Sequence, residues 1–227
     1  MAEVVLALDV ASADAARRLL DRLPALRWAK IGSVLMTREG APFIAELRAR
    51  GLQVFLDLKW HDIPNTVAGA VGAAAAQGVS MATVHTLGGE PMLRAAQAAA
   101  GSLGLVGVTV LTSHDAAAYA GALGRPTVRL EEEVRRLAVA AASAGLRGVV
   151  CAPAEIAVVR PVLATGAWIV VPGIRRAADA TGDQVRVATP REAAALGATH
   201  LVVGRPILTA TDPAGVLTEL MAEAAAR

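Results

Sequence analysis

The sequence predicts a single (β/α)8 TIM barrel, an α/β fold occupying residues 1–227 as one domain. Three observations predict it. Eight short apolar runs rich in Val, Ile and Leu recur about 25 residues apart, the repeat of a barrel of minimal size. Amphipathic stretches of Ala, Leu and Arg fill the gaps, as helices returning between parallel strands would. No linker divides the 227 residues, and a chain of that length commonly closes one barrel. A doubly wound open sheet is the competing layout, but no Gly-rich dinucleotide fingerprint follows the first strand.

The strand runs are 4–8, 28–31, 54–58, 81–84, 105–111, 148–151, 168–171 and 200–203. Between them, a helix over 12–23 opens on Ser12, whose hydroxyl suits an N-cap. A helix over 66–77 follows Pro64, and one over 131–144 begins with acidic residues and stops at Gly145, the ordinary punctuation of a helix.

Composition excludes several classes of function. Hydrophobic residues reach 55%, yet Gly, Arg and Asp interrupt them everywhere, so no run approaches the roughly 20 residues of a membrane helix. Met1-Ala2-Glu3 leads directly into a strand pattern without a basic region or cleavage site. A soluble, cytoplasmic protein with no membrane partner is expected. The single cysteine, Cys151, rules out an internal disulfide and fits a reducing compartment. The formal charge of +2 comes from scattered Arg with only 3% aromatic residues, a poor surface for nucleic acid. A small anionic ligand suits it better.

Lysine usage is the sharpest single signal. Lys30 and Lys59 are the only lysines among 22 basic side chains, and each stands where an apolar run ends. Elsewhere a positive charge is written as Arg, which stays protonated at any reachable pH, whereas a lysine can give up a proton. Either the two survived by accident or they mark a site that Arg cannot serve. Chemistry in a barrel collects where strands run into the following loops. Those junctions carry Asp9, Lys30, Asp57, Lys59, His85, Thr112, Cys151, Pro172-Gly173 and Gly204-Arg205.

The densest cluster is Asp57-Leu58-Lys59-Trp60-His61-Asp62-Ile63-Pro64-Asn65-Thr66. Side chains at i and i+2 of a strand point the same way, so Asp57 and Lys59 share the barrel interior while Leu58 faces the helices. At about 4 Å and an effective dielectric near 20, a carboxylate attracts an adjacent ammonium by roughly 4 kcal/mol before desolvation. A buried ion pair closing the barrel mouth is the structural alternative, and Asp62 alone could cap the helix that follows. Buried charged networks are costly, however, and perturbed groups gather at functional sites. His61 has no second His or Cys at ligand spacing, and His85, His114 and His200 are isolated in sequence, which gives a metal site little support.

Strands seven and eight carry a different signal. Val171-Pro172-Gly173-Ile174-Arg175 and Val203-Gly204-Arg205-Pro206-Ile207 combine glycine, which admits a ligand to the backbone, with Arg, whose fork matches phosphate. Pro206 suits the start of a short helix, whose free N–H groups add to the cradle, and barrels commonly bind phosphate at this loop pair. Turn glycines beside solvated arginines are the alternative. The intervening stretch 175–184, small and polar, reads as a lid or as a disordered loop.

These residues resemble the bacterial orotidine 5'-phosphate decarboxylase family. The ten-residue run from Asp57 to Thr66 looks like its signature, and Leu8-Asp9, Lys30-Ile31-Gly32, Val84-His85, Val110-Leu111-Thr112-Ser113, Pro172-Gly173-Ile174-Arg175, Gly182-Asp183-Gln184 and Gly204-Arg205-Pro206 follow in the right order. The resemblance implies conversion of orotidine 5'-monophosphate to UMP and CO2, the last step of de novo pyrimidine synthesis, with no cofactor and no metal. It implies a network of Lys30, Asp57, Lys59 and Asp62, with Lys59 the proton donor to C6 and Asp57 crowding the substrate carboxylate. Asp62 would reach into the site of a partner subunit, making the enzyme an obligate homodimer. Asp9 and Lys30 would bind the ribose side and Thr66 and Thr112 would line the nucleotide site, with Trp60, His61, Ile63, Pro64 and Asn65 also among the substrate-binding residues. Pro172, Arg175, Gln184, Gly204 and Arg205 would hold the phosphate. Trp60 stands where Phe is frequent in the family, and Arg176 where Pro is common.

Three rivals remain. A related sugar-phosphate branch shares Asp-x-Lys-x-x-Asp but uses Mg2+, with a metal-binding Glu where Lys30 stands here. A Schiff-base aldolase would need a deprotonated lysine, which flanking carboxylates oppose. A nucleotide-binding barrel without turnover would bind UMP and leave substrate unchanged.

Overall fold

The computed structural model of the chain describes residues 1–176 and 187–226. Eight parallel strands close a barrel in sequence order: β1 (Glu3–Ala7), β2 (Trp28–Gly32), β3 (Gln53–Trp60), β4 (Met81–His85), β5 (Gly104–Val108), β6 (Gly148–Val150), β7 (Trp168–Val171) and β8 (His200–Val203). Pairing of β1 with β8, Val4 opposite Leu201, completes the ring. The helices are α1 (Ala13–Leu20), α2 (Ser33–Glu39), α3 (Ala41–Ala49), α4 (Pro64–Ala76), α5 (Gly89–Ala99), α6 (Ala116–Ala122), α7 (Leu130–Ser143), α8 (Ile156–Val159), α9 (Pro190–Ala195), α10 (Arg205–Leu208) and α11 (Pro213–Ala225). Among the described residues no helix is long and apolar enough to cross a membrane.

All eight predicted runs are strands, with differences that have local causes. β5 stops at Val108 rather than at residue 111 because its partner β6 is short and ends at Val150. The N–H and hydroxyl of Thr109 both donate to Val150 O, and the chain then turns with His114 N donating to Leu111 O. α1 opens on the predicted Ser12 cap, whose hydroxyl accepts from Ala15 N, but it ends at Leu20. Pro24 disfavours helical geometry at Leu23, so the last predicted turn cannot form.

Strand alternation sorts the core into two layers. Leu6, Ile31, Val54 and Leu56 face the helices, whereas Val5, Ala7, Phe55, Met81, Val106, Val170 and Val202 fill the barrel. Trp28, Trp168 and His200 plug the N-terminal end with edge-on ring contacts of 4.9 to 6.2 Å. Above that plug the barrel opens at its C-terminal end, where Asp9, Lys30, Asp57 and Lys59 line a cavity.

Candidate active site

β3 places the two central groups, and it does so irregularly. Leu56 pairs with Ala82 and Trp60 with Val84, so residues 57–59 stand against Thr83 alone. The bulge puts Lys59 at φ +50°, the one positive-φ residue other than glycine among the described residues. An L-residue held there costs of order 1 to 3 kcal/mol and persists only when its surroundings fix it. Sequence alternation expected Asp57 and Lys59 on one face of a regular strand. They do share the barrel mouth, but through this bulge.

Four charged side chains form a continuous chain at that mouth. Lys30 Nζ lies 3.1 Å from Asp9 Oδ1 and 3.6 Å from Asp57 Oδ2. Asp57 Oδ1 accepts from Lys59 Nζ at 2.8 Å and from the Thr83 hydroxyl at 3.1 Å. Burial pushes the Asp57 carboxyl up, but the Lys30 and Lys59 charges and the hydrogen bonds from Lys59 and Thr83 outweigh it, and the carboxyl rests below its ordinary value. The Lys30 side chain is 9% exposed and that of Lys59 40%. Lys30 is therefore an internal cross-link between two carboxylates, while Lys59 is the ammonium open to a ligand.

A cavity of about 510 Å3 stands over this chain. Asp9, Lys30, Asp57, Lys59 and Thr112 line one part of it, and Pro172, Gly173, Arg175, Gly204 and Arg205 another, above a floor that includes Phe55 and Val170. The loops after β7 and β8 thus bring two guanidinium-bearing residues to the same space as the lysine–carboxylate chain. Arg175 is buried and one of its guanidinium nitrogens donates to Ile174 O at 2.8 Å. Gly204 caps α10, and Pro206 sits in that helix's first turn. A second hollow, about 640 Å3, opens at the opposite end beside Trp28 and Trp168. Among the described residues Arg48 is the one charged side chain lining it, whereas the lysines and their carboxylates gather at the C-terminal mouth.

The rest of the signature lies outside the cavity lining. His61, Asp62, Ile63, Pro64, Asn65 and Thr66 are all exposed, and Ile63 retains 66% of its surface. Trp60 packs against the outer core instead. Asp62 is not a helix cap: Ile63 holds the cap position of α4, and Asp62 Oδ1 accepts from Ile63 N at 2.6 Å. Gln184 and most of the 175–184 stretch lie outside the described residues.

Two features escaped the sequence reading. Thr83, 1% exposed, contacts both Asp57 and the Lys59 backbone; the signal was a hydroxyl at an inward position between Met81 and His85. His85 and His61, 24 residues apart, stack with ring centroids 5.6 Å apart, so His85 is not isolated in space. Burial, aided by the charges of His61 and Lys59, lowers His85 to about 4 and keeps it neutral at neutral pH. Among the described residues no group of three His, Cys, Asp or Glu side chains is gathered to hold a metal ion.

Fold and site together define a (β/α)8 barrel with an alternating carboxylate–lysine chain facing two arginine-bearing loops across one cavity. The sequence pattern of the Orotidine 5'-phosphate decarboxylase / HUMPS family matches residues 2–220. The orotidine 5'-phosphate decarboxylase of Halorhodospira halophila is 50% identical over 98% of this chain and 96% of its own. That of Dichelobacter nodosus is 52% identical over 85% of each. The crystal structure of orotidine 5'-phosphate decarboxylase from Lactobacillus acidophilus matches with a TM-score of 0.89 and 33% identity over all of both chains. The chain belongs to the orotidine 5'-phosphate decarboxylase / HUMPS family.

Proposed function

We propose that this protein converts orotidine 5'-monophosphate to UMP and CO2 without a cofactor, the last step of pyrimidine synthesis, as a cytoplasmic homodimer. The observation that carries the reading is the placing of Asp9, Lys30, Asp57 and Lys59 in one cavity with Arg175, Gly204 and Arg205. Basic groups at one edge suit a phosphate, and an ammonium fixed at the other suits a centre where negative charge develops.

Breaking the C6–carboxylate bond leaves its electron pair in an orbital in the ring plane, which the ring π system cannot absorb. Stabilisation must then be electrostatic. The Lys59 ammonium, held by Asp57 at 2.8 Å, lies beside the developing carbanion and needs no reorganisation at the moment of reaction. It then delivers its proton to C6, giving UMP, and regains one from water. Asp57 crowds the substrate carboxylate, so binding energy from the phosphate and ribose offsets an unfavourable contact that departure of CO2 relieves. Asp9 and Lys30 take the ribose side, Thr112 and residues 60–66 the nucleotide, and Pro172, Arg175, Gln184, Gly204 and Arg205 the phosphate. The exposed position of Asp62 supports a role across the subunit interface, where Asp62 of the partner subunit would complete the network.

The Mg2+-using branch calls for a carboxylate where Lys30 stands. Here the Lys30 ammonium already occupies the space between Asp9 and Asp57, where it would repel a divalent cation. The test is the ultraviolet absorbance of orotidine 5'-monophosphate with purified protein in excess EDTA, beside a Lys59→Ala control. Loss of the orotate band that vanishes in the variant supports the reading; an unchanged spectrum with folded wild-type protein overturns it.

A further inference from the structure

We infer that Thr83 is a positioning residue for this reaction, setting both the backbone of Lys59 and the orientation of Asp57; the inference rests on the decarboxylase reading. The hydroxyl of Thr83 accepts from Lys59 N at 2.8 Å and donates to Asp57 Oδ1 at 3.1 Å. The same Asp57 oxygen accepts from Lys59 Nζ at 2.8 Å. One hydroxyl therefore closes a ring that runs from the Lys59 backbone through Thr83 and Asp57 back to the Lys59 side chain.

The ring answers a specific structural difficulty. At the bulge the Lys59 N–H points away from regular ladder pairing, and its left-handed backbone needs an external hold. Thr83 is the only β4 residue opposite the bulge, and an inward hydroxyl there satisfies that N–H directly. A hydroxyl that has accepted from an N–H keeps its own proton free to donate, and the Asp57 carboxylate receives it. With one Asp57 oxygen claimed by Thr83 and Lys59, the other faces Lys30 at 3.6 Å. Carboxylate rotation is thereby blocked. Thr83 is 1% exposed and does not line the cavity, so its effect on turnover passes through Lys59 and Asp57.

The experiment compares wild type, Thr83→Val and Thr83→Ser for turnover of orotidine 5'-monophosphate, affinity for UMP and thermal stability. Thr83→Val should lower kcat about 10- to 100-fold, the rate equivalent of one hydrogen bond to a charged group. KM and UMP affinity should stay within about threefold, since uniform binding is untouched, and Thr83→Ser should restore most of kcat. Full kcat in Thr83→Val overturns the inference. So does a loss of UMP binding and melting temperature that Thr83→Ser fails to repair, which would mark a packing role alone. A wild type that leaves substrate unchanged overturns the decarboxylase reading and this inference with it, whereas an active wild type beside an equally active Thr83→Val removes Thr83 alone.

Discussion

Lys59 holds Asp57 at 2.8 Å from a backbone conformation that Asp57, two residues earlier, does not share. The ion pair is therefore built on strain, and the two can be separated experimentally. Lys59→Ala and Lys59→Gly both lose the ammonium, and kcat should fall about 10^3-fold or more in each. Glycine tolerates positive φ while alanine does not, so Lys59→Gly should be the more stable by about 1 kcal/mol, or roughly 2 to 4 °C in melting temperature for a chain of this size. Equal melting temperatures would remove the strain from the account.

Asp57→Asn tests the charged chain through stability. The carboxyl sits below its ordinary value of 3.8, so its pairings stabilise the fold above that pH and are lost as pH falls through the lowered value. At pH 7 the variant should be less stable by about 3 kcal/mol, the cost of leaving the buried Lys30 ammonium short of a partner. The difference should shrink below pH 4. Thermal melts across pH 3 to 7 read it, and a difference that stays constant would contradict the pairing.

His200 predicts a second pH dependence, of separate origin. Burial among Trp28 and Trp168, with a smaller push from Arg147, lowers it from 6.5 to about 4. Between those values the unfolded chain takes up a proton that the folded one refuses, so stability falls as pH drops from 6.5 toward 4. His200→Phe, which keeps a ring against the tryptophans, should flatten that slope by up to about 3 kcal/mol over the window. His85 contributes a slope of the same sign and should leave a residual one in the variant.

If Asp62 acts in the partner's site, two dead enzymes should make a live one. Lys59→Ala and Asp62→Asn, each nearly inactive alone, yield heterodimers after mixing and exchange in which one of the two sites is wild type. About a quarter of wild-type activity should return, since half the dimers are mixed and half their sites intact. Activity that stays at the sum of the two variants would place Asp62 in its own chain's chemistry.

The barrel and most of its charged mouth were legible because apolar periodicity fixes strands, and barrel topology gathers their C-terminal ends. Asp9, Lys30, Asp57, Lys59, Thr112, Arg175 and Arg205 are separated by up to 196 residues in sequence, yet they line one cavity. What the sequence could not show depends on departures from regularity. The bulge in β3 cannot be read from alternation, because alternation assumes an unbroken strand. Thr83 in the run Met81-Ala82-Thr83-Val84-His85 reads as an ordinary β-former, and only the bulge opposite it gives its hydroxyl a task. The exposure of residues 61–66 was equally hidden, since a sequence signature carries no information about which of its members face a cavity within one chain.

Lys30 has a consequence of another kind. A diffusible cation filling the gap between Asp9 and Asp57 would be present in proportion to its own concentration and in competition with every other ion nearby. The Lys30 ammonium arrives on a covalent stem, 3.1 and 3.6 Å from its two carboxylates, and folding delivers it one to one with the chain. Its occupancy is settled at translation, and the ionic supply of the surroundings drops out of the electrostatics at that point in the barrel.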